Sequence, residues 1–99
     1  MKCGSYDWFF KNFSNKTKLE IIISLKDKPL CVQEIGKKIK EEQSKISHNL
    51  KKLCLCNLLT VSKKGKKRVY SLNKETVLPL LKLVEKHVKK SCKRGCCKK

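Results

Sequence analysis

A chain of 99 residues has room for one small domain, and its eight scattered acids offer no paired carboxylates for an active site. With no phosphate loop and no Ser-His-acid set either, the chain is not expected to be an enzyme. The net charge of +18 points to nucleic acid or an anionic surface, but no stretch approaches the ~20 apolar residues of a membrane span.

Residues 5–13, SYDWFFKNF, predict a short aromatic helix capped by Ser5. Tyr6, Phe9, Phe10 and Phe13 recur at helical spacing and suit a core or a dimer contact. Ser14 and Asn15 offer the next cap. A second helix then runs to about Lys26, with Leu19, Ile22, Ile23 and Lys26 on one face. Pro29 disfavours helix at Lys28, so the helix breaks there and Leu30-Cys31 form an extended link. Residues 32–40, VQEIGKKIK, predict a third helix with Val32, Ile35 and Ile39 inward.

Residues 43–56, QSKISHNLKKLCLC, predict a fourth helix with Ile46, Leu50, Leu53 and Cys54 inward. Asn57 tolerates the left-handed conformation that ends many helices. The period then falls to two. Leu59, Val61 and Lys63 alternate with Thr60 and Ser62, the turn Lys64-Gly65-Lys66-Lys67 follows, and Val69–Leu72 return as a second strand. That is a β-hairpin. A last helix over 76–90 carries the apolar stripe Val77, Leu80, Leu81, Val84 and Val88, with Pro79 in its first turn and Asn73 or Thr76 as cap. No earlier element is left to receive this stripe, so it suits pairing with a second chain. Residues 91–99, SCKRGCCKK, read as a flexible, basic, Cys-rich tail on a domain spanning 1–90.

Short helices, a tight connection, a longer helix and a cationic hairpin make a winged helix-turn-helix, mainly α with a β-hairpin wing, in the order α-α-α-α-β-β-α. A major groove admits one α-helix, so Gln43, Ser44, Lys45, Ser47 and His48 would reach base edges. Lys51 and Lys52 suit phosphates, which position without specifying sequence. The tip, with Lys63, Lys64, Lys66, Lys67 and Arg68, would meet the adjacent backbone or minor groove. A lysine-biased genome accounts for part of the basic count without changing its electrostatic consequence. Two other readings stand beside gene control: a charge-driven, non-specific architectural nucleic-acid-binding protein, and a cysteine-rich metal buffer.

There are seven cysteines: Cys3, Cys31, Cys54, Cys56, Cys92, Cys96 and Cys97. The number is odd and the N-terminus carries no secretory signal, which favours a cytoplasmic protein with free, reactive or metal-binding thiols. Cys54 and Cys56 lie about 200° apart around a helix, so they do not share an ion while it stays regular. The tail brings three thiols within six residues, among cations that raise the thiolate fraction.

From Lys16 to Leu72 the chain resembles the ArsR/SmtB-type transcriptional regulators. The matching runs are NKTKLEIIISL at 15–25, LCVQEIGKKI at 30–39, QSKISHNLKKL at 43–53 and NLLTVSKKGKKRVYSL at 57–72. The resemblance implies a homodimer built through the first and last helices. It also implies binding to an inverted-repeat double-stranded DNA operator, with repression relieved by a metal, a metalloid or an oxidant in some members. Cys31 sits where many sensors of the family carry the first cysteine of a Cys-Val-Cys pair, with Gln33 at the second place. Cys56 resembles a ligand position of a subgroup whose other ligand lies in the C-terminal tail. Glu85-x-His87 resembles half of a zinc site. No cofactor is required. An effector would be a soft metal or metalloid ion (zinc, cadmium, copper or arsenite) held by Cys92, Cys96 and Cys97, alone or with Cys31 or Cys56. One departure is local: Lys40, Glu41 and Glu42 stand where the family's turn usually has a glycine, a hydrophobic residue and a serine cap.

Overall fold

The first two helices start where the sequence offers an oxygen to their free N–H groups. The structure, a computed structural model, describes residues 5–93, with side chains through Lys90. Helix α1 (Tyr6–Ser14) opens with the Trp8 N–H donating to Ser5 Oγ at 3.4 Å. Helix α2 (Lys16–Ser24) opens with the Lys18 N–H donating to Asn15 Oδ1 at 3.0 Å. Each such cap satisfies a donor that the helix itself leaves unpaired.

Residues 30–31, expected as a plain link, form a two-residue strand, β1 (Leu30–Cys31). It leads directly into α3 (Val32–Ile39), followed by α4 (Gln43–Leu55), β2 (Leu59–Lys64), β3 (Lys67–Leu72) and α5 (Val77–Lys93). The expected order therefore gains one strand. The sheet is antiparallel with order β1-β3-β2, pairing Leu30 with Tyr70 and Cys31 with Val69 on one side of β3. On the other side the hairpin pairs Leu59 with Leu72 through to Lys64 with Lys67. Its two-residue turn has Gly65 at φ +66 in the first central position, as a II′-type turn requires. Thr60 and Ser71 hydroxyls bond across the strands at 2.8 Å.

The core gathers Ile21, Ile22 and Leu25 around α2, Ile35 from α3, and Ile46, Leu50 and Leu53 from α4. Leu30, Leu58, Leu59, Leu72 and Val77 complete it. In α2 the inward face differs from the expected one. Ile21 and Ile22 are fully buried whereas Ile23 is half exposed. The true stripe runs through Thr17, Ile21, Ser24 and Leu25, all buried. Its two hydroxyl residues hide the periodicity, and three successive isoleucines fit more than one phase. Ser24 Oγ is satisfied by the Ile21 carbonyl at 2.7 Å.

The aromatic helix serves two surfaces. Phe9 and Phe13 pack against the core, with ring centroids 5.0 Å apart. Tyr6 and Phe10 project outward. Helix α5 divides along its length. Val77 is buried and Leu78 and Leu81 pack on the core, while Leu83, Val84 and Val88 are exposed. So the core receives the first turns of the stripe and leaves the rest uncovered. Asn73 starts this helix: its carbonyl accepts the Val77 and Leu78 N–H groups, each at 3.1 Å. Its side-chain amide donates to the Asn57 carbonyl at 2.8 Å, tying α5 to the end of α4. The helix continues to Lys93, three residues into the segment expected as tail. Lys26, just past the C-cap of α2, forms an ion pair with Glu85 of α5.

Candidate nucleic-acid interface

The start of α4 carries unusual residues in ordinary geometry. Lys40 ends α3 in the left-handed conformation, φ 54 and ψ 49, and its N–H reaches the Gly36 carbonyl at 2.9 Å. A side chain there costs energy that a glycine would not. Glu42 takes the extended N-cap conformation but makes no side-chain capping bond. Glu41 lies beside Lys45 at 3.6 Å. The turn forms despite this chemistry because Ile35, before it, and Ile46, after it, are both completely buried.

At the other end, the chemistry agrees with the geometry. Asn57 has φ 61, its N–H donates to the Cys54 carbonyl at 3.0 Å, and the Leu58 N–H donates to the Leu53 carbonyl at 3.0 Å. This paired closure is a Schellman motif, with buried Leu58 delivered straight into the core.

Between those ends, Ile46, Leu50 and Leu53 are buried, and so is Asn49, whose side-chain amide donates to the Lys45 carbonyl at 3.0 Å. Gln43, Ser44, Lys45, Ser47, His48, Lys51 and Lys52 are all exposed, as are Lys63, Lys64, Lys66, Lys67 and Arg68 on the hairpin. Five of these twelve converge. Gln43, Ser47 and Lys51 of α4 and Lys67 and Arg68 of β3 line one open concavity of about 760 Å³. Ser44, Lys45, His48 and Lys52 are exposed on α4 outside that lining, as are Lys63 and Lys64, the cross-strand partners of Arg68 and Lys67, and Lys66 in the hairpin turn. None of the concavity's twelve lining residues is acidic.

Gln33, Leu55, Val61 and Tyr70, none of them expected at a nucleic-acid interface from the sequence, also line the concavity. Val61 and Tyr70 face each other across the hairpin. Their signal is a pair of large apolar side chains on a strand ladder that is otherwise cationic near its tip.

The thiols separate by environment. Cys31 is buried at the start of α3, where its N–H donates to Glu34 Oε1 at 2.9 Å. That bond holds the Glu34 carboxyl below the usual carboxylate range. Cys54 is half-buried, and burial pushes its thiol up. Cys56, also half-buried, accepts a hydrogen bond from the Trp8 indole N–H at 3.3 Å, a link from α1 to the end of α4 that sequence reasoning did not anticipate. Cys31 and Cys54 share the concavity, whereas Cys56 is not among its lining residues. Gln33, at the second place of the expected pair, is exposed. Among the described residues, no three His, Cys, Asp or Glu side chains converge as a metal site, so these residues alone do not fit a complete soft-ion centre. Cys3, Cys96, Cys97 and the side chain of Cys92 lie outside the described residues.

Comparison with known proteins bears on the same elements. Residues 15–61, from the cap of α2 to the middle of β2, match the model of the family described as bacterial regulatory protein, arsR family. Over 77 residues the chain is 36% identical to the arsenical resistance operon repressor of Bacillus subtilis (strain 168), covering 77% of this chain and 73% of that protein. The chain belongs to the ArsR family. Among solved structures, this ArsR-family chain is similar to the transcriptional regulator HlyU of Vibrio vulnificus CMCP6, at 29% identity with a TM-score of 0.72. That match covers 79% of this chain and 81% of the other. A TM-score of 0.78 relates it to the homodimeric winged helix-turn-helix DNA-binding domain of a possible ArsR-family regulator from Mycobacterium bovis. There the identity is 22%, over 86% of this chain and 79% of that one, a likeness of fold. This ArsR-family chain is thus a winged helix-turn-helix regulator: α3 and α4 form the helix-turn-helix and β2–β3 the wing.

Proposed function

We propose that this ArsR-family protein is a homodimeric operator-binding repressor. Helix α4 enters the major groove, and the hairpin lies against the neighbouring backbone or minor groove. One observation carries the reading: polar residues of α4 and cations of β3 converge on a single concave face that has no acid in its lining. Gln43, Ser44, Lys45, Ser47 and His48 read bases, while Lys51, Lys52, Lys63, Lys64, Lys66, Lys67 and Arg68 engage phosphates.

Dimer formation rests on the exposed apolar residues Tyr6 and Phe10 of α1 and Leu83, Val84 and Val88 of α5. Large apolar side chains left exposed on a helix suit an association surface. The homodimeric neighbour from M. bovis supports the same assembly, and the repressor of B. subtilis supports repression. Two copies would place their reading helices in half-sites about 34 Å apart. Release by a soft metal or metalloid would run through thiolates of Cys92, Cys96 and Cys97, alone or with Cys31 or Cys56.

The test is a mobility shift on the protein's own upstream DNA, in excess random duplex at physiological salt, with and without zinc, cadmium, copper or arsenite. A specific complex is expected to survive the competitor. Replacing Lys66 and Lys67 by Ala should reduce the salt slope by about two for each protomer. Ser47→Ala or His48→Ala should erode discrimination between sites instead. Loss of the complex to random duplex would mark a charge-driven coating protein.

A further inference from the structure

The concavity between α4 and the wing has properties that DNA reading alone does not require. Its volume of about 760 Å³ falls within the range of small-molecule sites. Duplex DNA presents phosphate ridges and grooves floored by base edges, whose main apolar feature is the thymine methyl, and reading it does not call for an apolar recess of this size beside the cations. Here Val32, Leu55, Val61 and Tyr70 form such a recess. Leu55 and Val61 are respectively 61% and 48% exposed, so the fold leaves them uncovered. Cys31 and Cys54 add two further soft, weakly polar surfaces. The same lining holds Lys51, Lys67 and Arg68, with Gln43 and Ser47 as neutral hydrogen-bonding groups.

We propose that this concavity is a binding site for a small aromatic carboxylate. Its ring would lie on Val61, Leu55 and Tyr70, and its carboxylate would meet Lys51 and Arg68. The planar guanidinium of Arg68 suits a carboxylate bidentately. Charge complementarity decides the occupant: an apolar wall alone would take a neutral ring equally well, but three cations and no acid favour an anion. The occupant would cover Gln43, Ser47, Lys51, Lys67 and Arg68, so it and DNA would exclude one another. That exclusion rests on the proposed DNA reading, whereas ligand binding by the free protein does not.

The experiment is a titration of the full-length protein with 1-naphthoate and, separately, its neutral isostere 1-naphthamide, followed by backbone amide NMR. Saturable shifts are expected at Gln33, Leu55, Val61, Arg68 and Tyr70 with naphthoate, and much weaker ones with naphthamide. Val61→Glu, at a position about half exposed, should weaken naphthoate by about tenfold or more through like-charge repulsion. Arg68→Gln should weaken naphthoate by about fivefold and leave naphthamide within about twofold. Well-dispersed spectra of both variants establish that they fold. Naphthoate should also displace operator DNA in the mobility shift. The proposal is overturned by an absence of saturable shifts, by equal affinity for the two probes, or by shifts confined to the apolar faces of α1 and α5. Binding that leaves DNA affinity unchanged overturns the shared surface. Failure of the mobility shift without any probe counts against the DNA reading, while the titration of the free protein still decides the cavity.

Discussion

The two ends of α4 are held in place by different means. At its C-terminal end, Asn57 supplies a residue that accepts positive φ, and two backbone bonds close the helix onto Leu58. At its N-terminal end, Lys40 adopts positive φ and Glu42 caps with no side-chain bond. Both ends nevertheless have ordinary helix-terminus geometry. The difference shows that local chemistry specifies one end, while the buried residues around the other impose its shape. Ile35 and Ile46, both 0% exposed, fix the two helices of the helix-turn-helix from inside, and the turn between them conforms.

This contrast can be broken most forcefully at the core. Ile46→Ala and Leu53→Ala, near opposite ends of α4, should each cost about 2–5 kcal/mol by urea denaturation. Comparable losses would show that both ends depend on packing. A small loss at Ile46 would undermine the account of the turn. The capping changes should be smaller, and opposite in sign at the two ends. Asn57→Ala should destabilise by about 1–2 kcal/mol, since alanine resists the left-handed conformation. Lys40→Gly should stabilise by about 1 kcal/mol, and Glu42→Ser by roughly 0.5–1 kcal/mol, because each restores what the local geometry prefers. A destabilising Lys40→Gly would mean that the lysine side chain makes a compensating contact.

The smallest effect is expected at Lys26–Glu85, which lies away from both ends of α4. The hydrogen bond with Lys26 holds the Glu85 carboxyl below its usual range. The pair therefore stabilises above the ordinary carboxylate range and loses that contribution as pH falls through the lowered value. The same bond with Glu85 raises the Lys26 ammonium, whose contribution is complete below the ordinary lysine range and fades as pH rises through the raised value. Between those limits the contribution is flat. The gap in urea midpoint between wild type and Glu85→Gln should therefore narrow from about pH 5 downward. It should also shrink with added salt, since both side chains are partly exposed. A gap unchanged in acid would remove Glu85 as the partner that matters.

Much of the fold was legible because its signals are local. Ser5 and Asn15 cap as their side chains suggest, Gly65 turns the hairpin, and Asn57 ends α4 with positive φ. The phase of α2 was not, since three isoleucines in succession obscure which side Thr17 and Ser24 share with them. Strand β1 has too few residues for any periodicity, and its partner, β3, is far along the chain. The candidate site was legible as a list of exposed residues on α4 and the hairpin. Which five of them converge depends on packing between elements, as does the Trp8–Cys56 bond, and no spacing along one helix encodes either.

Strand β3 is stitched on both edges, to β2 along the hairpin and to the two residues that lead into α3. The arm therefore does not swing freely on its own pivot. Opening or narrowing the gap beside α4 would require the ladder at Leu30 and Cys31 to slip, or α3 to travel with the arm. The protein thus behaves as a calliper with one jaw anchored in its frame: whatever displaces the first residue of α3 also resets the span that a bound molecule meets.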